Sequence, residues 1–339
     1  MSGKRGIWVY RGGWCFWDDG FPLYDFDAGF TDLSARFLDE SPFLYISKPL
    51  TGQSPISGVY ENVTLCVLDD TPVYLGELTV SEVFGPGELT IAAGTLHTKS
   101  IRAGAGIFIA PDARVYTSGE ISSGGFLNCL GGVIKAQSLD ARRIWFQSSA
   151  APLYVSVKGS VITTAYIQKG GETIIGGGLI SIGHEDGADA GILLDCEQAR
   201  HNKTSLCIGG DVISSGKCGG IEISGADKRC SVQVSGGMKA EHAIIFRGGN
   251  TFIHGALESR GDTGGIHVYG GVINTESLYA ARAIEVGTAD DIYGTNDTIT
   301  LFVAKRVKAS GCVNIYGGAV YEGASYKLNP VFGQPEIHL

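Results

Sequence analysis

Gly220-Ile221-Glu222-Ile223, Ala243-Ile244-Ile245-Phe246, Gly265-Ile266-His267-Val268 and Ala283-Ile284-Glu285-Val286 are copies of one short phrase, a small residue followed by apolar-x-apolar. Outward from this stretch the phrase returns at Gly106-Ile107-Phe108-Ile109, Gly125-Phe126-Leu127, Arg143-Ile144-Trp145-Phe146, Ala165-Tyr166-Ile167, Gly191-Ile192-Leu193-Leu194 and Cys312-Val313-Asn314-Ile315. Measured between first apolar residues, the repeat is 18 to 29 residues long. Alternation of this kind puts every second side chain on one face of a strand. A strand of three residues cannot bury that face alone, so each copy must stack on the next.

Two further short strands fill each period. One is opened by glycine, as in Gly132-Val133-Ile134, Gly178-Leu179-Ile180, Gly210-Asp211-Val212-Ile213, Gly237-Met238-Lys239, Gly271-Val272-Ile273 and Gly318-Ala319-Val320. The other includes Leu153-Tyr154-Val155, Ser205-Leu206-Cys207-Ile208, Ser231-Val232-Gln233-Val234 and Thr251-Phe252-Ile253. Three alternating strands per period, joined at sharp corners, describe a parallel β-helix. Glycine supplies the positive φ that such corners need. The varying period means a constant core with corner loops of different lengths, which excludes a strict hexapeptide helix and favours a right-handed helix of ten to twelve coils. A β-propeller and a β-sandwich both lack this strand spacing.

Composition agrees. Glycine takes 51 of 339 positions and charged residues 18%, while 44% of the chain is apolar. That is too apolar for a disordered chain, and the glycines do not recur at every third place as collagen requires. A net charge of -9 argues against nucleic-acid or anionic-membrane binding, so neither partner is expected. No stretch is apolar enough for a membrane-spanning helix, and the first residues lack the apolar core of a secretory signal. Synthesis in the cytoplasm is therefore expected, with release by lysis or by assembly into a particle. The eight cysteines show no metal-ligand spacing, and Cys66, Cys207 and Cys230 sit in apolar strand patterns, so buried reduced thiols are expected rather than a disulfide framework.

These repeats resemble right-handed parallel β-helix proteins, a superfamily that includes pectate-lyase-like enzymes, phage tailspikes and glycine-rich glycan-binding surface repeats. The resemblance covers roughly residues 60–322 and implies an all-β solenoid. It is specific for fold, not for activity. The expected organisation is an N-terminal module over 1–58, the β-helix over 59–322 and an extended tail over 323–339.

The N-terminal module holds 12 of the 32 aromatic residues. Ile7–Tyr10 and Trp14–Trp17 read as a hairpin across Arg11-Gly12-Gly13, and a short helix is expected around residues 31–38. Two readings stay open: a cap over the open end of the helix, or a docking module. In the second, Trp8, Tyr10, Trp14, Phe16 and Trp17 would attach the chain to a larger particle.

No phosphate loop, nucleophile elbow or zincin motif is present. Paired carboxylates are the remaining enzymatic option. His184-Glu185-Asp186-Gly187-Ala188-Asp189 is the richest acidic corner, and Asp195 and Glu197 follow the next strand. Glycosidases set two carboxylates about 5–9.5 Å apart. The resemblance to polysaccharide lyases adds a calcium site, for which Glu185, Asp186 and Asp189 offer oxygen ligands, and a basic residue, for which Arg142 and Arg143 are candidates. No cofactor other than calcium is suggested. The alternation places Trp145 outward between Ile144 and Phe146, and by the same logic Tyr269, Tyr279 and Tyr316, as aromatics that could stack on sugars or on a neighbouring protomer.

Three functions are consistent with these features. The first is a non-catalytic structural or recognition protein of a virion, tailspike-like, a homotrimer mounted by its N-terminus. The second is a polysaccharide lyase or glycoside hydrolase acting on a groove of the helix. The third is a glycan-binding surface module.

Overall fold

Because apolar side chains alternate along each strand, the chain can bury them only by laying one strand in register on the next. The computed structural model has that arrangement. It describes residues 88–148, 151–183, 191–196, 203–216, 219–225, 230–262, 264–288 and 299–323. It also describes the backbone of strands Ile7–Arg11, Trp14–Phe16, Pro22–Asp25, Phe43–Ile46, Ile56–Ser57, Asn62–Val67, Glu77–Thr79, Glu82–Gly85 and Glu336–His338. Among the described residues there is no helix. Parallel strands stack as a β-solenoid of about nine turns. Ten to twelve coils were expected, but the ten quoted strands bound only nine intervals. The chain divides into two units, Met1–Lys158 and Gly159–Leu339.

In the first unit, one ladder aligns Ile107 with Leu127 and Ile144, and Ile109 with Cys129 and Phe146. All six side chains are buried. The register differs by one residue from the sequence reading, which aligned Phe126 with Ile107. Phe126 instead lies opposite Gly106, and its ring fills the space that a Cβ on residue 106 would need. Towards the N-terminus the parallel pairing continues through Asn62–Val67 and Phe43–Ile46 to Ile7–Arg11. Ile7–Arg11 also forms the expected hairpin, pairing antiparallel with Trp14–Phe16 across Gly12-Gly13. The helix expected at 31–38 lies outside the described residues.

The second unit carries three ladders. The first stacks Tyr166, Ile192, Ile221, Ile244, Ile266, Ile284 and Val313, rung upon rung, with Gln168, Leu194, Ile223, Phe246, Val268, Val286 and Ile315 two residues further along. Those between the end rungs are buried, each such side chain stabilising the fold by roughly 1.5–3 kcal/mol. Tyr166 and Gln168 bring polar atoms into this column, and both are satisfied. The Tyr166 hydroxyl donates to Gln168 Oε1 at 2.8 Å, and Gln168 Nε2 donates to the carbonyls of Gly171 and Ser205, each at 3.2 Å. Burial pushes the Tyr166 phenol above its ordinary range.

The glycine-opened strands do not form a single ladder. Those at 271 and 318 enter the second ladder, which runs through Leu206, Val232, Thr251, Ile273, Leu301 and Val320. Those at 178, 210 and 237 enter the third, through Leu179, Val212 and Met238. The two corners use glycine for different reasons. At the first, Gly171, Gly249, Gly271 and Gly318 hold φ near +80 to +90°. At the second, the Gly210, Gly236 and Gly255 amides donate to the carbonyls of Gly177, Gly210 and Gly236 at 2.8–3.0 Å. A Cβ at any of the three would press on the neighbouring rung. At the third corner, buried Ser181, Ser214 and Ser259 turn their hydroxyls onto backbone carbonyls.

The cysteine expectation is corrected at one site. Cys196 and Cys230 form a disulfide with Cα atoms 5.8 Å apart, while Cys129, Cys207 and Cys312 are free. Cys196 closes one first-ladder strand and Cys230 opens the second-ladder strand of the following coil. Gly225 and Gly249 leave room beside them, since a Cβ on either would press on a cysteine Cβ. Their separation of 34 residues carried no signal, because coil length varies.

Two measurements check this packing. Urea unfolding of Cys230→Ser should show a loss of about 3–4 kcal/mol, the chain-entropy value for a loop of this size; an unchanged midpoint would remove the disulfide from the account. Cys129, whose thiol donates to the Gly131 carbonyl, is pushed up to about 12 by burial. Its contribution is therefore complete below the ordinary thiol value of 9.0 and is lost as pH rises from there towards 12. Cys129→Ala should be less stable at neutral pH and show a shallower alkaline loss than the parent chain.

Candidate functional site

The positions that alternate with the inward-facing ones of the first ladder lie on its other face, where Ile167, Ser224 and Gly287 are still buried, and in the second unit they fall into two columns. One contains Ile167, Leu193, Glu222, Ile245, His267, Glu285 and Asn314. In the other, Lys169, Asp195, Ser224, Arg247, Tyr269, Gly287 and Tyr316 follow the second buried position of each strand, with a register shift that sets Arg247 opposite Gly270. The amide of Gly287 donates to the carbonyl of Val268, and that of Tyr316 to the carbonyl of Val286, both at 2.8 Å, which fixes the last three rungs.

Polar groups on this face are tied from rung to rung. Lys169 Nζ lies 3.5 Å from Asp195 Oδ2. Arg247 Nε donates to Glu222 Oε1 at 2.8 Å, and its guanidinium lies over the Tyr269 ring, 5.5 Å from the centroid. His267 packs against Tyr269 with ring centroids 5.9 Å apart. Its Nδ1 is 2.9 Å from Glu285 Oε2 and 3.4 Å from the Tyr269 hydroxyl. Since the carboxylate only accepts, Nδ1 carries the proton it donates to Glu285. Glu222, Arg247, Tyr269, His267 and Glu285 thus form one continuous chain of contacts over four rungs.

Burial first, then the Glu285 carboxylate, raises the Tyr269 phenol above its ordinary value, and the Arg247 guanidinium opposes them. The phenol therefore stays protonated and able to donate well into the alkaline range. These half-exposed pairs contribute little to folding, on the order of 0.2–1 kcal/mol each. Their chemical content is a flat row of donors and acceptors beside aromatic rings.

Of the residues singled out from the sequence, Glu185, Asp186, Asp189 and Glu197 lie outside the described residues, as does Trp17. Asp195 is brought to Lys169. Among the described residues no group of three or more His, Cys, Asp or Glu side chains could hold a metal ion. Trp8, Tyr10, Trp14 and Phe16 fall on the hairpin strands. Arg142 and Arg143 are exposed in the first unit. Trp145 sits outward beside Asn128, but it is half-buried with its indole Nε1 shut off from solvent. Tyr279 lies on the third ladder between Glu258 and Lys308. Tyr269 and Tyr316 share the first-ladder face, half-buried and exposed respectively.

Sequence reasoning missed Glu222, Arg247, His267 and Glu285. The available signal was the middle residue of apolar-x-apolar, which reads Glu, Ile, His, Glu, Asn along five successive rungs. The chain matches no protein-family model, no curated protein and no solved structure.

Titration of the Tyr269 phenol, followed by ultraviolet difference spectroscopy against a Tyr269→Phe background, checks this wiring. Glu285→Gln should lower its midpoint and Arg247→Ala should raise it. Opposite signs would mean that the stripe is not connected as described.

Proposed function

We propose that this chain is a non-catalytic structural and recognition protein, a β-solenoid component of a virion or similar particle. Its N-terminal segment mounts it and its working form is a homotrimer. The observation that carries the non-catalytic part is that each carboxylate described on the polar face is held by a basic side chain: Asp195 by Lys169, Glu222 by Arg247 and Glu285 by His267. Glycoside hydrolysis needs one carboxyl group free to give up a proton and a second free to act on the other side of the sugar bond.

The mounting is supported by the aromatic-rich N-terminus. There Ile7–Arg11, still paired parallel with Phe43–Ile46, also carries an antiparallel hairpin extended by Pro22–Asp25. Self-association is supported by the outward Ile162, Ile180 and Ile213, which are aligned on adjacent rungs of the third ladder.

Sedimentation of the purified chain should give a trimer, and lysates of the source should show it co-sedimenting with particles. Incubation with uronate-containing and neutral polysaccharides should release neither new reducing ends nor unsaturated products. A stable monomer that never co-sediments would overturn the particle reading. Turnover that is lost in Asp186→Ala would replace it with the enzymatic one.

A further inference from the structure

We infer that the notch between Tyr269 and Tyr316 binds one unit of a neutral, hydroxyl-rich glycan chain. This deepens the recognition part of the proposed function and rests on it. Tyr269, residue 287 and Tyr316 occupy the same outward position on three successive rungs. The middle one is glycine, so the column is interrupted there. Two rung spacings place the walls about 10 Å apart. The gap is wide enough for a single saturated ring between the two tyrosines, with the Gly287 backbone as floor. Gly287 is buried and holds φ at +78°. Tyr316 is 45% exposed, so its wall is open to a ligand.

The neighbouring column supplies the polar rim. His267, Glu285 and Asn314 stand on the same three rungs. Glu285 uses one oxygen on His267, which leaves the other to accept from a hydroxyl. Asn314 places its amide toward Cys312 Sγ at 3.4 Å, so its carbonyl oxygen is an acceptor. Planar acceptors beside aromatic faces suit adjacent hydroxyls on a ring. They do not suit a carboxylate, which Glu285 would repel, so the ligand is neutral.

The test uses the full chain and saturation-transfer NMR with cellohexaose, mannohexaose and a dextran oligomer, with hexagalacturonate as the acidic comparison. At least one neutral oligosaccharide should bind, more tightly than hexagalacturonate. Tyr316→Ala should weaken it by about threefold to tenfold, the range for one aromatic contact. Tyr316→Phe should keep binding. Gly287→Asn, which tolerates positive φ and fills the floor, should lose it. Phe252→Ala, at an exposed position of the second ladder, should bind as the parent does. Unchanged urea midpoints would exclude misfolding of the Tyr316 variants. Absence of binding by all three neutral probes, tighter binding of hexagalacturonate, or indifference to both Tyr316→Ala and Gly287→Asn would each overturn the site. Co-sedimentation with particles is read separately. A chain that co-sediments yet binds no probe loses only this site, and a chain that binds but never co-sediments loses only the particle reading.

Discussion

Everything in this molecule follows from strands held in register by main-chain hydrogen bonds between successive coils. The period of two in side-chain direction leaves no freedom once that register is set: a one-residue slip would turn a whole column of isoleucines to solvent. Ile192, Ile221, Ile244, Ile266 and Ile284 hold the register because each can be buried only on the one before. The same constraint decides the surface. Whatever sits between two inward isoleucines must point out, and must lie beside its counterpart on the adjacent rungs.

Corners absorb the variation that the rungs do not allow. A coil may carry many residues between one strand and the next, as between Val286 and Thr300, or turn at once, as at Gly270-Gly271, without changing the pairing of the strands on either side. Glycine makes this workable in two ways. Gly271 adopts a backbone conformation closed to most side chains, with φ near +90°. Gly236 and Gly255 pass so close to the rung below that a methyl group would displace it. Glycine abundance is thus a consequence of stacking, and it is why the composition pointed to the architecture.

The fold was therefore legible almost strand by strand. All ten strands quoted for this phrase lie on a ladder of their own unit, three in the first and seven in the second, because their signal, apolar-x-apolar after a small residue, is local. Three things were not legible, and each depends on long-range placement. Gly125-Phe126-Leu127 fits either register by pattern. Only the space above Gly106, filled by the Phe126 ring, selects the observed one. The Cys196–Cys230 bond depends on which corner each cysteine reaches, which a period varying between 18 and 29 residues conceals. Glycine-opened strands look alike in sequence although they enter two different ladders.

The polar stripe is the clearest case of a site hidden in plain view. Arg247 and Glu222 are 25 residues apart and Glu285 and His267 are 18, so no spacing rule joins them. The rungs do. In a globular enzyme such a cluster would draw on loops whose geometry must be held by many other contacts. Here each rung contributes one or two side chains from a rigid strand, and the distance between contributions is the strand spacing itself. That spacing is also a limit. Two carboxylates on the same column can stand one rung apart, about 4.8 Å, or two, about 9.6 Å, and little between. In the column of Glu222 and Glu285 they stand three apart, with a histidine and an isoleucine between them. The lattice that makes the face easy to extend thus sets what it can do: it presents a regular row of groups to a regular polymer more readily than it converges several groups on one atom.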